Sequence, residues 1–170
     1  VWEISSGRLI RVLRPPIGPG NEGMMFAAAI TPDGNTVAGA GYSGKEWDGT
    51  YSVYLFDRVS GHMLGRIPGL PDSILHLAFS PDGRVLLITL HGNSGIRLYS
   101  TSDRRLLAED RDYQAETYGA SFDKNGRLIT ASYDGFLRLY GQDFQLLAQT
   151  QVAAGKRPYS VSLARNGSKV

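Results

Sequence analysis

The feature that most constrains the fold of this chain is a short turn sequence that occurs four times. Each copy combines an Asp or Asn that bonds back to the backbone with a Gly that takes positive φ, and the first two copies add a Pro that fixes φ. A unit that recurs every 40 to 50 residues, roughly, indicates a repeat architecture in which neighbouring units stack on one another. The copies occupy positions 31–35, 80–84, 123–127 and 164–168, with their glycines 49, 43 and 41 residues apart.

Apolar runs of strand length stand beside these turns. The second turn follows the run at 75–79 and precedes the run at 85–89, and two further runs at 96–99 and 105–108 complete the unit. The runs are rich in β-branched and aromatic residues and are separated by turn residues, which is the pattern of antiparallel strands. No segment keeps a helical period over about 11 residues. We therefore expect an all-β fold with four antiparallel strands in each repeat.

Composition narrows the classes of function. Lys and Arg number 18 against 16 Asp and Glu, and they are scattered along the chain, so the net charge of +2 does not favour capture of nucleic acid or anionic membranes. No apolar stretch approaches the roughly 18 residues that a membrane-spanning helix needs. The absence of Cys excludes disulfide scaffolds, thiolate zinc sites and cysteine nucleophiles.

The repeats resemble those of the WD40 family. Four short strands in a unit of about 40 to 45 residues are typical of one blade of a β-propeller. The turn at 80–83, which follows 77–79, is similar to the family pattern, and so is 131–135 leading into 137–140. The opening residues 1–7 look like the end of a third strand. The resemblance covers essentially the whole chain and implies a propeller of WD40 type with four-stranded antiparallel blades.

The repeats are degenerate versions of the WD40 unit. The Gly-His pair that usually precedes the first strand is absent, and Gly69 and Leu70 stand in its place. The hydrogen-bonded Asp-His-Ser/Thr-Trp network of the family therefore cannot form in full, and we expect blade cohesion to rest mainly on apolar burial and strand ladders. The positions of the family Trp hold Trp2, Phe56, Tyr99 and Tyr140.

The two ends of the chain each carry part of a repeat, so we expect three complete blades in an incomplete ring. A WD40 ring usually has about seven blades, and an open stack leaves strand edges exposed. We interpret the chain as part of a longer polypeptide; a closed ring of four blades is the alternative. The predicted units are the end of a blade at 1–13, blades at 24–67, 74–108 and 117–148, and the start of the next blade at 158–170.

A second likeness concerns the segment before the first complete blade. The stretch 14–23, followed by 42–49 and 54–57, is similar to propeller regions attached to bacterial caspase-like peptidase domains. This likeness implies a bacterial, cytoplasmic, multidomain protein in which the propeller senses or docks a partner and regulates an effector domain. None of the peptidase part is present, so its activity does not carry over to these residues.

The WD40 resemblance also predicts a binding face. Loops between second and third strands share the top of a WD40 propeller with the loops that join blades, here 14–24, 68–73, 111–117 and 153–158. The insertion at 41–50 carries the mixture of aromatic and charged residues of an interaction hot spot, although Trp47 folding back onto its own blade is the alternative. The candidate partner-binding residues are Tyr42, Lys45, Glu46, Trp47, Asp48, His76, His91, Tyr118, Tyr133, Lys156, Arg157 and Tyr159.

Two positions of the innermost strand merit separate expectations. His76 aligns with Ala27, Gly119 and Ser160, which are small, as expected where innermost strands crowd together. We expect a packed imidazole there, with projection into the central channel as the alternative. The position directly before His76 and its equivalents holds Phe26, Leu75, Tyr118 and Tyr159. We interpret these side chains as core, with an exposed anchor for a partner as the alternative.

Other patterns carry no chemistry. The G-x-G-x-x-G match at 18–23 follows two prolines and precedes a strand, whereas a phosphate cradle needs a strand before it and a helix after it. We interpret it as an inter-blade loop. His62, His76 and His91 lack metal-ligand spacing, so neither a metal nor a cofactor is expected. Asp134 aligns with a structural Asp of the family that bonds a neighbouring loop.

The sequence contains neither a nucleophile–base pair nor a ligand cluster. We therefore predict a non-catalytic interaction or scaffold module that binds a protein or peptide on its top face and contacts neighbouring blades or domains of the same polypeptide. Nucleic acid and membrane are not expected as partners. One alternative is a propeller-type hydrolase or oxidoreductase with a site over the central channel, and another is a purely structural propeller. The candidates for the enzyme site are His76, His91, Asp134 and Asp48.

Overall fold

Residues 1–164 and 169, which the computed structural model describes, contain twelve strands in three four-stranded antiparallel sheets. In each sheet the strands follow one another in chain order. Sheet 1 consists of β1 (Met24–Ile30), β2 (Thr36–Tyr42), β3 (Tyr51–Asp57) and β4 (Met63–Leu70). Sheet 2 consists of β5 (Ile74–Phe79), β6 (Val85–Leu90), β7 (Ile96–Ser100) and β8 (Leu106–Asp110). Sheet 3 consists of β9 (Thr117–Phe122), β10 (Leu128–Ser132), β11 (Phe136–Tyr140) and β12 (Leu146–Gln151).

These sheets confirm the prediction of an all-β chain with four antiparallel strands per repeat. The only departure within the described residues is a single helical turn, α1 (Lys45–Asp48), between β2 and β3. The last strand of each sheet runs two or three residues further than the predicted units at 24–67, 74–108 and 117–148. The fourth copy of the turn, at 164–168, lies largely outside the described residues.

The repeated turn joins the first and second strands of each sheet, and its residues act as expected. At 80–84, Asp82 accepts hydrogen bonds from Ser80 Oγ at 2.6 Å and from the Arg84 N–H at 3.0 Å. Gly83 has φ of 72°, a conformation that only Gly adopts at little cost. The turn therefore fixes the register of the two strands that it joins.

The core lies between successive sheets. Side chains alternate along β6, so that Leu86 and Ile88 pack toward sheet 1 while Leu87 packs toward sheet 3, and all three are fully buried. β1 packs beside β5 and β5 beside β9, which brings the first strands of the three sheets next to one another. The sheets are therefore stacked by their faces with their first strands along a common edge.

Sheet 3 also contains a buried polar network that was not predicted. Tyr113, in the connection before β9, is 1% exposed, and its Oη lies 2.7 Å from Thr130 Oγ1 and 2.8 Å from Tyr140 Oη. Tyr140 in turn donates to Asp110 Oδ2 at 2.7 Å. Side-chain hydrogen bonds therefore add to apolar burial and strand ladders in this sheet, because these hydroxyl groups join its interior to β8 and to the connection between the sheets.

The two ends of the chain are less regular than predicted. The fourth strand expected at 8–13 is reduced to one bridge between Trp2 and Leu9. An apolar groove of about 770 Å³ lies between this N-terminal segment and the outer face of sheet 1. At the other end, the segment 158–164 joins no strand ladder but lies tightly against β9, since a Cβ added at Gly119 would come within 2.8 Å of Ser160 Cα.

Candidate functional site

The loops at one end of the sheets are tied together by backbone hydrogen bonds. In sheets 2 and 3 the loop between the second and third strands bonds to the connection that enters the sheet: the His91 backbone N–H donates to Ser73 O at 2.9 Å and that of Tyr133 to Glu116 O at 2.8 Å. Val152 likewise donates to Gly135 O at 2.8 Å. We call this end the loop face, and it comprises residues 14–23, 43–50, 71–73, 91–95, 111–116, 133–135 and 152–158.

A buried carboxylate organises the predicted insertion at 41–50. Glu22 is 5% exposed, and its two oxygens accept hydrogen bonds from the Gly44 N–H at 2.5 Å and the Glu46 N–H at 3.1 Å. These bonds satisfy backbone donors at the start of α1 that would otherwise lack partners. Sequence reasoning missed Glu22, because an acidic residue within a Gly-rich loop carries no periodic signal.

The aromatic residues of this loop are partly committed to its structure. Tyr42 and Tyr51 pack edge to face, with ring centroids 5.2 Å apart. Trp47 remains 54% exposed, although its Cζ2 would lie 3.3 Å from a Cβ added at Gly18. One part of its ring therefore covers the chain at Gly18, and the rest faces solvent.

The charged residues of the same loop differ in whether contacts within the chain hold their side chains. Lys45 Nζ donates to Gly49 O at 2.9 Å and lies 5.4 Å from the centroid of the Tyr51 ring. Asp48 pairs with Arg66 at 2.9 Å. Glu46 is exposed, so it and Trp47 are the two of the five predicted residues here whose side chains are most available to a partner.

His91 lies at the centre of the loop face, between two carboxylates. Its Nδ1 is 3.6 Å from Asp72 Oδ2, in the connection between sheets 1 and 2, and its Nε2 is 3.6 Å from Glu116 Oε1, in the connection between sheets 2 and 3. Its side chain is 48% exposed. The predicted residue His91 therefore links the two connections that border its sheet.

Five of the predicted residues come together at the sheet 3 side of the loop face. Tyr118 and Tyr159 stack with their ring centroids 4.8 Å apart, and the Tyr133 ring lies 4.7 Å from that of Tyr118. The Arg157 guanidinium lies over the Tyr133 ring, with Cζ 5.8 Å from its centroid. We call Tyr118, Tyr133, Tyr159, Lys156 and Arg157 the tyrosine patch.

The two carboxylates near His91 each contribute to the raised pKa of a nearby tyrosine, one on either side of His91. Burial raises the pKa of Tyr118, and the neighbouring carboxylate of Glu116 adds to that effect. Burial likewise raises the pKa of Tyr51 to about 12, with smaller contributions that include the negative charge of Asp72. Aromatic and charged groups therefore follow one another across the loop face from the sheet 1 insertion, past His91, to the tyrosine patch.

The position interpreted as core on the innermost strand is not buried in any sheet. Phe26 is 49% exposed and Tyr159 is 62% exposed, and both Leu75 and Tyr118 are half-buried. The core interpretation is therefore wrong for Phe26 and Tyr159.

His76 is half-buried on β5, which packs against β9. Burial lowers the pKa of its imidazole, and an interaction with the backbone of Ala120 on β9 partly opposes that effect. This placement agrees with the expected packed imidazole. His76 lies on a strand rather than in the loops that form the loop face.

Asp134 has the structural role that was expected of it. Its carboxylate accepts hydrogen bonds from Arg138 Nη2 at 2.7 Å and from the Gln114 N–H, in the preceding connection, at 3.3 Å. Three residues were proposed with it for an enzyme site. Asp48 pairs with Arg66 in sheet 1, and His76 lies against Ala120. His91 lies between Asp72 and Glu116. Among the described residues, no group of three or more His, Asp or Glu side chains is arranged to hold a metal ion.

Helical structure in the described part of the chain is limited to α1, and no helix there is long and apolar enough to cross a membrane.

Comparison with curated proteins gives a weak similarity over part of the chain. No family model matches the chain. A stretch of 121 residues is 26% identical to protein tipD of Dictyostelium discoideum. That stretch covers 71% of this chain and 18% of the Dictyostelium protein. The chain thus spans less than a fifth of the length of the curated relative that it matches.

Proposed function

We propose that this chain is a non-catalytic interaction module of WD40 type, a partial β-propeller whose loop face binds a protein or peptide. The observation that carries the proposal is the tyrosine patch, where the exposed ring of Tyr159 and the half-buried rings of Tyr118 and Tyr133 stand beside two exposed cations. A backbone hydrogen bond from Tyr133 to Glu116 O holds the loop of Tyr133 in place. Tyr and Arg are the residue types most enriched among binding hot spots. Loops ordered before binding lose little conformational entropy when a partner arrives.

The stacking of the sheets supports the propeller part of this proposal. The first strands β1, β5 and β9 lie side by side, as the inner strands of successive blades do. By register, Val37 and Gly39 on sheet 1 occupy the positions of Leu86 and Ile88 on sheet 2. Leu86 and Ile88 are buried against the preceding sheet, whereas Val37 and Gly39 line the apolar groove. We propose that a further sheet of the same kind covers this groove.

A peptide selection tests the binding function. The chain is immobilised and a random phage-displayed peptide library is selected on it, and the enriched peptides are then titrated into isotope-labelled protein while backbone amide shifts are followed. We expect the perturbed amides to map to the loop face and Tyr159→Ala to weaken binding at least about fivefold, as for a hot-spot residue.

The matched control is Lys124→Ala, in the turn at 123–127 at the opposite end of sheet 3, which should leave the affinity unchanged. Failure to enrich any peptide would overturn the proposal, and so would perturbations that map to the turns at 31–35, 80–84 and 123–127.

A further inference from the structure

The acidic and the basic groups of the loop face differ in whether they have partners within the chain. Its acidic groups are largely committed: backbone N–H groups hold Glu22, Arg66 pairs with Asp48, and Arg138 pairs with Asp134. Lys156 and Arg157 are exposed, and neither pairs with a carboxylate of the described residues. The two cations of the tyrosine patch are therefore available to a negatively charged partner.

The aromatic side of the patch offers a flat surface rather than a cage. Tyr159 and Tyr118 are stacked with an interplanar angle of 20°, which leaves no room for a ligand between them. One side of the Tyr159 ring is therefore covered by Tyr118, and the side chain is still 62% exposed. Such a surface fits a planar or cyclic apolar group, an aromatic ring or a proline, stacked on Tyr159.

We propose that the tyrosine patch binds a peptide segment in which an anionic side chain stands next to an aromatic residue or proline. The apolar ring stacks on Tyr159, and the anion pairs with Arg157 and Lys156. A guanidinium forms paired hydrogen bonds to carboxylate or phosphate, so the anion can come from Glu, Asp or a phosphorylated residue. This proposal rests on the proposed function and names the class of partner that the loop face takes.

The surroundings of the patch favour a peptide over single-stranded nucleic acid, which also combines rings with negative charge. A strand of nucleic acid needs a positive groove that follows several phosphates. Here the two cations are local, and the chain of groups leading away from them contains Glu116 and Asp72 on either side of His91. These carboxylates would repel a phosphate backbone that continued along the loop face but tolerate one short anionic motif.

Fluorescence anisotropy with defined probes tests the proposal. The probes are fluorescein-labelled peptides with a central Phe-Pro pair flanked by Glu, by Gln, by Lys or by phosphoserine, together with labelled oligothymidine. We expect the better of the Glu and phosphoserine peptides to bind at least about tenfold more tightly than the Lys peptide, with an affinity that falls as salt rises. Whichever of these two binds more tightly identifies carboxylate or phosphate as the source of the anion.

The variants separate the anion from the aromatic surface. Arg157→Gln should remove most of the preference for anionic probes, Tyr159→Ala should weaken all the peptides, and Arg84→Gln, in the turn at the opposite end of sheet 2, should change neither. Equal binding of the Glu, phosphoserine, Gln and Lys peptides, or no effect of Arg157→Gln, would overturn the anion assignment. Library-selected peptides that still map to the loop face would then leave the proposed function standing. Tighter binding of oligothymidine than of any peptide would overturn the peptide class. Failure of every peptide, library-selected ones included, would overturn both proposals.

Discussion

The guanidinium of Arg138 stacks over the ring of Tyr113 in the interior of sheet 3, with Cζ 4.0 Å from the ring centroid. The same guanidinium pairs with Asp134 at 2.7 Å and donates to Asp112 O at 2.9 Å. Arg138 thus joins its own strand, the loop at 133–135 and the connection at 111–116. The position of the tyrosine patch depends on this joint, because Tyr133 directly precedes Asp134.

Replacing Arg138 should destabilise the chain strongly. The side chains of Arg138 and Asp134 are 3% and 2% exposed, so Arg138→Leu leaves a buried carboxylate without its cation. We expect the free energy of unfolding, measured by urea denaturation, to fall by about 3–5 kcal/mol. Arg138→Leu combined with Asp134→Asn should recover part of this loss, since it removes the uncompensated charge. The exposed Arg84→Leu should change stability by less than about 0.5 kcal/mol. A loss below about 1 kcal/mol for Arg138→Leu would contradict a structural role for the pair.

Asp134 should also contribute to acid sensitivity. Burial alone raises the pKa of its carboxyl, but hydrogen bonds from Arg138 and from the Phe136 N–H outweigh burial and lower the net pKa below its ordinary value. The folded state therefore prefers the carboxylate; the resulting stability is fully present above the unfolded pKa of about 3.9 and is lost as pH falls through the folded pKa. Urea denaturation between about pH 5 and pH 3 should show a shallower loss for Asp134→Asn than for the native chain. Identical slopes would show that the carboxylate does not titrate as argued.

Tyr113 gives an opposite dependence at alkaline pH. Burial raises its pKa to about 12, and burial likewise raises the pKa of Tyr140. A folded pKa above the unfolded value of about 10 means that the stability is fully present below that value and is lost as pH rises toward the folded pKa. Tyr113→Phe should reduce this alkaline loss, at a cost of about 1 kcal/mol at neutral pH from its missing hydrogen bonds. In an alkaline titration followed by phenolate absorbance, the variant should have one fewer tyrosine that ionises slowly and at high pH. Loss of a group that ionises near the ordinary pKa of about 10 instead would mean that Tyr113 ionises freely in the folded chain.

The three sheets could be predicted from the sequence because their determinants are local. Asp82 and Gly83 fix a turn within a few residues, and the alternation of Leu86, Leu87 and Ile88 shows a strand buried on both faces. The strand that carries Tyr118 and the loops that carry Tyr133 and Arg157 followed from the repeat alignment. That these side chains contact one another is an outcome of the fold, since Tyr118 and Tyr159 are 41 positions apart and belong to different repeats.

The features that could not be predicted depend on contacts between residues that are far apart in the sequence. Tyr113 lies in a connection, and its partner Tyr140 is 27 residues away, so no period relates them. The exposure of Phe26 was mispredicted because an aromatic residue on an inner strand is buried only if an adjacent element covers it. The same holds for Glu22, whose partners at Gly44 and Glu46 are 22 and 24 residues further along the chain.

Glu22 should control the order of the insertion that carries Trp47. The chain contains two Trp residues, so a Trp2→Phe background makes Trp47 the single indole reporter. The N–H groups of Gly44 and Glu46 donate two charge-assisted hydrogen bonds to the Glu22 carboxylate. In that background, Glu22→Gln leaves a single neutral amide oxygen to accept both bonds. We expect the emission of Trp47 to move to longer wavelength and its anisotropy to fall, because α1 loosens and the ring leaves Gly18. The matched control is Glu46→Gln, which changes an exposed carboxylate in the same loop and should leave both signals unchanged. Equal effects of the two variants would show that the charge of the loop, rather than the buried carboxylate of Glu22, sets its conformation.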